Sequence, residues 1–349
     1  MTFHMSFRTG FVWLLAVFTS VDPATAAEPS SELGKLAASM QTGSWAKLET
    51  QGYDRELLRV QSHFIYEYTH DGQWDPVTAQ MLFVGQGHYS ALKFISYSAK
   101  TNSWTLRPTP SWWKGDPETG KGPIGHAYDN NALDPQGRIL YHHQYNSPFI
   151  HRWHIDDEKW IDSLELDRNK YGPGGHSSGL VWFPEMGGLV RGRVNGTIDF
   201  HDPKKAEWRI VDAEKRPTGN LHNFIEYSPG AKRVIFGGGN GSNDVYSLDP
   251  SGQVETLAKP PLDDLNSTHR FVITVDPVSG EFLVIKWGNR EANGPLYGFD
   301  SLKNEWRQIS ATVTPQGFMI GTPVANHGVV MICTYRPEEV WLYKHAPRK

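Results

Sequence analysis

Short apolar runs alternate with turn signals along almost the whole chain. Six turns stand out: Asp75-Pro-Val-Thr, Asp134-Pro-Gln-Gly, Pro184-Glu-Met-Gly, Ser228-Pro-Gly-Ala, Asp276-Pro-Val-Ser-Gly and Ala325-Asn-His-Gly. Behind them come Met81-Leu-Phe-Val, Arg138-Ile-Leu-Tyr, Leu189-Val, Arg233-Val-Ile-Phe, Phe282-Leu-Val-Ile and Val329-Val-Met-Ile. Runs of this length, rich in β-branched and aromatic residues and bounded by Pro, Gly and Asp, predict strands joined in hairpins. No 3.6-residue period competes anywhere beyond residue 26. A second signal has the same count. Tryptophan returns after each pair of strands, at Trp45, Trp104, Trp160, Trp208 and Trp306, with Val254 where one more is expected. The separations run from 46 to 59 residues. A period of about 50 residues built from short strands is that of a propeller blade.

One repeat carries a family resemblance. Arg233-Val-Ile-Phe-Gly-Gly-Gly followed by Asn243-Asp-Val-Tyr-Ser-Leu-Asp-Pro250 resembles the kelch repeat, with its glycine doublet and its apolar-Tyr-x-apolar-Asp third strand. The third-strand pattern recurs at 198–202 and 296–300 and is degenerate at 94–104 and 150–160. The resemblance covers roughly residues 43–345 and implies an all-β, six-bladed kelch-type β-propeller. Ser44-Trp-Ala-Lys-Leu48 reads as a fourth strand with nothing before it, and Val340-Trp-Leu-Tyr343 as a third strand with nothing after it. Joining them is expected to close the ring and remove two exposed sheet edges.

The ends and the composition bound the setting. Arg8, the apolar run Phe11–Phe18 and the small residues Ala24-Thr-Ala26 read as a secretory signal peptide over 1–26. Residues 27–42 read as a flexible leader and 43–349 as a single propeller domain. One cysteine, Cys333, lies in an apolar run, so the chain forms no internal disulfide. Export without disulfides suits a bacterial periplasmic or secreted protein that relies on a large core. A net charge of −4 argues against nucleic-acid partners, and no other stretch is apolar and long enough to span a membrane. A monomer is expected.

The blade register decides which scattered residues can meet. The start of each innermost strand and each loop from second to third strand should line one mouth. His126, His176, His222 and His269 stand at the first of these places. Blade one departs, with Glu67 at the counted position, His63 upstream and His70 downstream; blade six has Phe318. The loops bring His88 and Tyr89, then His142, His143 and Tyr145, then Arg191 and Arg193. Asn240, Lys286, Trp287, Arg290, Tyr335 and Arg336 complete the set, which is expected to concentrate on blades two to four. The tryptophans at the blade ends are read as packing residues.

The residue types point to a chemistry. Glycoside hydrolysis needs two facing carboxylates, and Asp263, Asp264 and Glu291 form no recurring pair. No motif supports a serine or cysteine nucleophile. Histidine, tyrosine and arginine together suit removal of a proton beside a carboxylate, with the positive group neutralising that carboxylate. This is β-elimination on a uronate. The set looks like that of propeller polysaccharide lyases acting on ulvan-type polymers. The resemblance implies catalytic roles for His126, His143, Tyr145 or Tyr171, and Arg191 or Arg193, with His176 beside them. His88, Tyr89, His222, His269, Lys286, Trp287, Arg290, Tyr335 and Arg336 would then bind an acidic polysaccharide or oligosaccharide. That reading requires no cofactor. Zinc is the alternative, held by one of His142 and His143 with His126 or His176. Two further functions fit the same residues: a non-catalytic propeller binding glycan or protein, and a sugar epimerase or isomerase.

Overall fold

The computed structural model describes residues 30–60, 63–116, 119–171, 179–266, 271–286 and 294–347. Six four-stranded antiparallel sheets fill most of them. The innermost strands are Gln73–Asp75, Asn131–Asp134, Gly179–Phe183, Asn223–Ser228, Phe271–Val275 and Phe318–Val324. Each lies against the next, and the sixth lies against the first, so the sheets stand as blades around a ring. This is a six-bladed, all-β propeller. Each of the six turns joins an innermost strand to the second strand of its blade. The leading aspartates hold these turns by accepting backbone N–H bonds, Thr78 on Asp75 at 3.0 Å, Gly137 on Asp134 at 2.9 Å and Ser279 on Asp276 at 2.7 Å.

The returning tryptophans sit in the outermost strands, each directly opposite an aromatic ring or imidazole. The pairs are Trp45 with Tyr343, Trp104 with Tyr97, Trp160 with Trp153, Trp208 with His201 and Trp306 with Phe299. Their ring centroids lie 4.4–5.4 Å apart, which is the packing role expected of them. Blade four explains its own exception. Val254 stands opposite Leu248, so both members of the pair are aliphatic.

Blade faces bury against their neighbours, and that is why the strands read as continuous apolar runs. Adjacent residues Phe224 and Ile225 point opposite ways. Phe224 joins Ile235, Val245, Phe271, Ile273 and Phe282 between blades four and five. Ile225 joins Phe183, Val190, Phe200 and Phe236 between blades three and four. Each such side chain contributes about 1.5–3 kcal/mol on burial.

Ser44–Lys47 pairs antiparallel with Val340–Lys344, Ser44 opposite Lys344, as the outermost strand of blade six. The leader differs from the expectation of a flexible segment. Glu32–Ser39 is an α-helix capped by Ser31, whose hydroxyl accepts from Gly34 N at 3.0 Å. Leu33, Ala37 and Met40 recur at helical spacing and enter the core beside blade six, and Lys344 donates to the Ala37 carbonyl. Enough apolar surface on one face outweighs the polar composition that suggested a loose chain.

An ionic clasp ties blade five to the C-terminal segment. Glu281 accepts from Arg307 Nε and Nη2 at 2.7 Å each, and its Oε2 lies 2.7 Å from His345 Nε2. Burial alone would raise the Glu281 carboxyl, but the bonds from Arg307 and His345 outweigh it and hold it at about 2. An unfolded glutamate titrates near about 4.3. The folded state therefore binds this proton more weakly. The stabilisation is complete above roughly pH 5 and is lost as the pH falls toward about 2. Measured by urea unfolding, the wild type is expected to lose about 3 kcal/mol more than Glu281→Gln across that window. Equal losses would contradict the clasp.

Candidate functional site

The segments entering blades one, two and four bring their rings to one place. Tyr68 lies five residues before its innermost strand, His126 and Tyr128 just before theirs, and His222 directly before Asn223. His88 and Tyr145 arrive on the loops between second and third strands. His126 is the hub. Its ring centroid is 4.2 Å from His88, 4.3 Å from Tyr68, and 4.9 Å from both Tyr128 and Tyr145. Tyr68 in turn stacks on His222 at 5.1 Å and lies 5.0 Å from His88. His222 is oriented by Asn240, whose Oδ1 is 2.9 Å from its Nδ1. Tyr89, 63% exposed, stands at the rim.

The backbone under this cluster is strained. Tyr68, Tyr89, Tyr128 and His222 have φ of 67°, 49°, 43° and 65°. The left-handed region costs a bulky L-residue about 1–2 kcal/mol. Most other non-glycine residues in that region sit on hairpin turns, where it is ordinary. Strain persists where the surroundings hold a side chain in place, and it collects at functional sites. Burial, then Glu67, raises the Tyr68 hydroxyl above its usual value, and burial followed by Tyr89 does so for Tyr145. Burial lowers His88, against a weaker opposite pull from Glu67.

Four expected mouth residues, His88, His126, Tyr145 and His222, thus meet, and Tyr89 lies beside them. Others do not. Arg191 is fully buried, its Nε 2.9 Å from Asp199 Oδ2 directly across the sheet. Arg193 donates to the same carboxylate from Nε at 2.7 Å. Both arginines are thereby committed inside blade three. His143 is also fully buried, 3.2 Å from the Ser147 carbonyl; burial, then Arg191, pushes it well below the usual imidazole range. His142 faces the other way, toward Asn131 and Trp112, as alternation along a strand requires. Tyr335 is buried against Phe64 at 4.3 Å, with Arg336 over its ring at 5.1 Å. Lys286 ends its strand with its ammonium 6.0 Å from the Phe271 ring. The backbone of Tyr171 ends the short helix Arg168–Tyr171. His176, His269, Trp287 and Arg290 lie outside the described residues.

Two features escaped the sequence reading. Tyr68 takes the place counted to Glu67, which puts blade one at the centre of the site. Glu67 instead turns to His63, with both carboxylate oxygens 3.1 Å from its Nδ1. Among the described residues His63, Glu67 and His88 are the group whose donor atoms could share a metal, all within 4.8 Å of one another. Among the described residues no such group includes His142, His143 or His126, and His176 lies outside them. The second feature is a buried acid cluster. Asp71, Asp129 and Glu226 converge on the fully buried His70, whose Nε2 is 2.8 Å from Asp129 Oδ2 and whose Nδ1 is 3.7 Å from Glu226 Oε1. Burial first, and the neighbouring carboxyls second, raise Asp71 and Glu226 well above the usual carboxylate range. Carboxyls therefore converge as a buried cluster, carried on the segments that bear the mouth rings.

No family model matches the chain, and no curated protein matches it in sequence. Solved structures match it in shape. A protein of unknown function from Bacteroides thetaiotaomicron has a TM-score of 0.56 at 12% identity, over 86% of this chain and 75% of that one. The Pan2 WD40 domain of Neurospora crassa has a TM-score of 0.50 at 10% identity, over 88% and 98%. A chain of the mitotic checkpoint complex has 0.50 at 9% identity, over 88% and 96%. At these identities the chain is similar to them in fold alone, as a β-propeller.

Proposed function

We propose that this propeller is an exported enzyme that cleaves uronate-containing glycan by β-elimination, with His126 as base and Tyr68 as acid. One observation carries the reading: an imidazole and a phenol 4.3 Å apart, each in a cluster of further His and Tyr rings on strained backbone. An imidazole titrates near about 6.5 and accepts a proton at neutral pH, whereas a phenol near about 10 keeps its own. His126 would remove the carbon-bound proton beside the carboxylate. The electron pair forms the C=C bond, the C–O bond to the leaving sugar breaks, and Tyr68 gives its proton to the departing oxygen. Proton transfer from His126 to Tyr68 would restore both groups.

The arginines expected to neutralise the uronate are bound to Asp199, so that task passes to another positive group at the mouth. Export is part of the same proposal, supported by Arg8, the apolar run after it and the small residues at 24–26. The purified mature protein, incubated with a panel of polyuronates and their oligomers, is expected to generate the ultraviolet absorbance of unsaturated chain ends. Folded protein giving no such product from any member would refute elimination. The exposed Tyr89 supports the competing reading of a glycan-binding propeller, in which the same panel shows binding without product.

A further inference from the structure

We infer that His63, Glu67 and His88 form a three-donor site for a divalent transition metal, zinc first among them, opening beside Tyr68. Two donors 2.0–2.2 Å from one ion cannot be more than about 4.4 Å apart. Three donor atoms already within 4.8 Å need only a small contraction to reach that limit. His63 Nδ1 stands 3.1 Å from each Glu67 oxygen, close to the separation of neighbouring ligands on one ion.

The carboxylate is held as a ligand would be. Backbone N–H groups of Phe64 and His88 approach Glu67 Oε1 and Oε2 at 3.4 Å each. Such outer contacts fix a ligand's direction. Among the described residues Glu67 pairs with no lysine or arginine, and its carboxylate faces the His63 ring. Gly87 keeps the cradle open, because a Cβ there would lie 2.7 Å from both Glu67 Oε2 and His63 Cβ. His63 and His88 remain partly exposed, which leaves a coordination position facing solvent, as in catalytic sites. The Tyr68 hydroxyl is 3.4 Å from His88 Nδ1, so a ligand at the open position would adjoin Tyr68. Two imidazoles and one carboxylate suit zinc, manganese, iron or nickel better than calcium or magnesium. Resting on the elimination reading, the ion would bind the uronate carboxylate and supply the charge that Arg191 and Arg193 cannot.

The test is zinc titration of the untagged, chelator-stripped mature protein in competition with a chromophoric chelator. One tight equivalent is expected, weakened at least tenfold by His63→Ala, His88→Ala and Glu67→Gln. Gly87→Ala, which removes no donor, should weaken it too, and His154→Ala on the surface should not. Circular dichroism and the metal-free melting temperature identify any variant that fails to fold. Absence of the equivalent in the wild type, or unchanged affinity in the folded cradle variants, would overturn the site. The elimination assay reads out separately. Zinc bound without product refutes the elimination reading and leaves the site, whereas product undiminished by chelation refutes the ion's role in elimination.

Discussion

Asp199→Ala is expected to destabilise the protein by about 3–5 kcal/mol. The carboxylate is fully buried and takes charge-assisted bonds from two arginines, one of them also fully buried. Removing it takes from the buried Arg191 guanidinium the carboxylate that its Nε and Nη2 bond. The cost is the desolvation that the pair otherwise offsets. Arg193 is partly exposed and can turn toward water, so Arg193→Ala should cost about 1 kcal/mol or less. Urea unfolding midpoints measure both. The result also decides what the arginines are for. Groups that served only catalysis would give variants with wild-type midpoints and lost turnover, the reverse of the result expected here.

His126→Ala and Tyr68→Phe should each lower kcat for elimination by about 10²–10⁴-fold, the usual worth of a positioned acid or base. Tyr68→Phe removes one hydroxyl and keeps the ring that stacks on His222, so KM and the melting temperature should stay near wild type. His126→Ala removes the hub of the cluster and should also lower the melting temperature modestly. If Tyr68→Phe retains full turnover, the acid is another group and the assignment falls. If both variants lose glycan binding and turnover in step, the rings only bind.

Much of this was legible because strand patterning is local. Six turns and the runs around them name the blades without any knowledge of packing, and the blade register placed His88, His126, Tyr145 and His222 at one mouth. The errors fall where position depends on strand register and irregular local geometry, which turn signals do not carry. Arg191 and Asp199 are eight residues apart and meet because two antiparallel strands pair in one particular register. Read in isolation, Arg191 is a loop cation beside a cavity. Blade one enters through the small hairpin of Arg59–Val60 and His63–Phe64, so counting back reached Glu67 when the ring in the mouth belongs to Tyr68. The acid cluster had no recurring signal to find. Asp71 and Asp129 precede their innermost strands, while Glu226 lies within its own. The leader helix was hidden by composition, although Leu33, Leu36, Ala37 and Met40 carry helical spacing.

The pairing of Ser44 with Lys344 joins positions about 300 residues apart. Closing a loop of that length costs roughly 5 kcal/mol in chain entropy beyond a constant term, and the contact repays it only after the intervening blades have formed. This seam should therefore be the last part of the ring to assemble and the first to open. In native-state hydrogen exchange, the amides of 44–47 and 340–344 should exchange together, through an opening of lower free energy than that of the inner strands. Linking Trp45 to Tyr343 with an engineered cross-link should slow unfolding more than it speeds folding, because a contact made after the rate-limiting step acts on the exit from the native state.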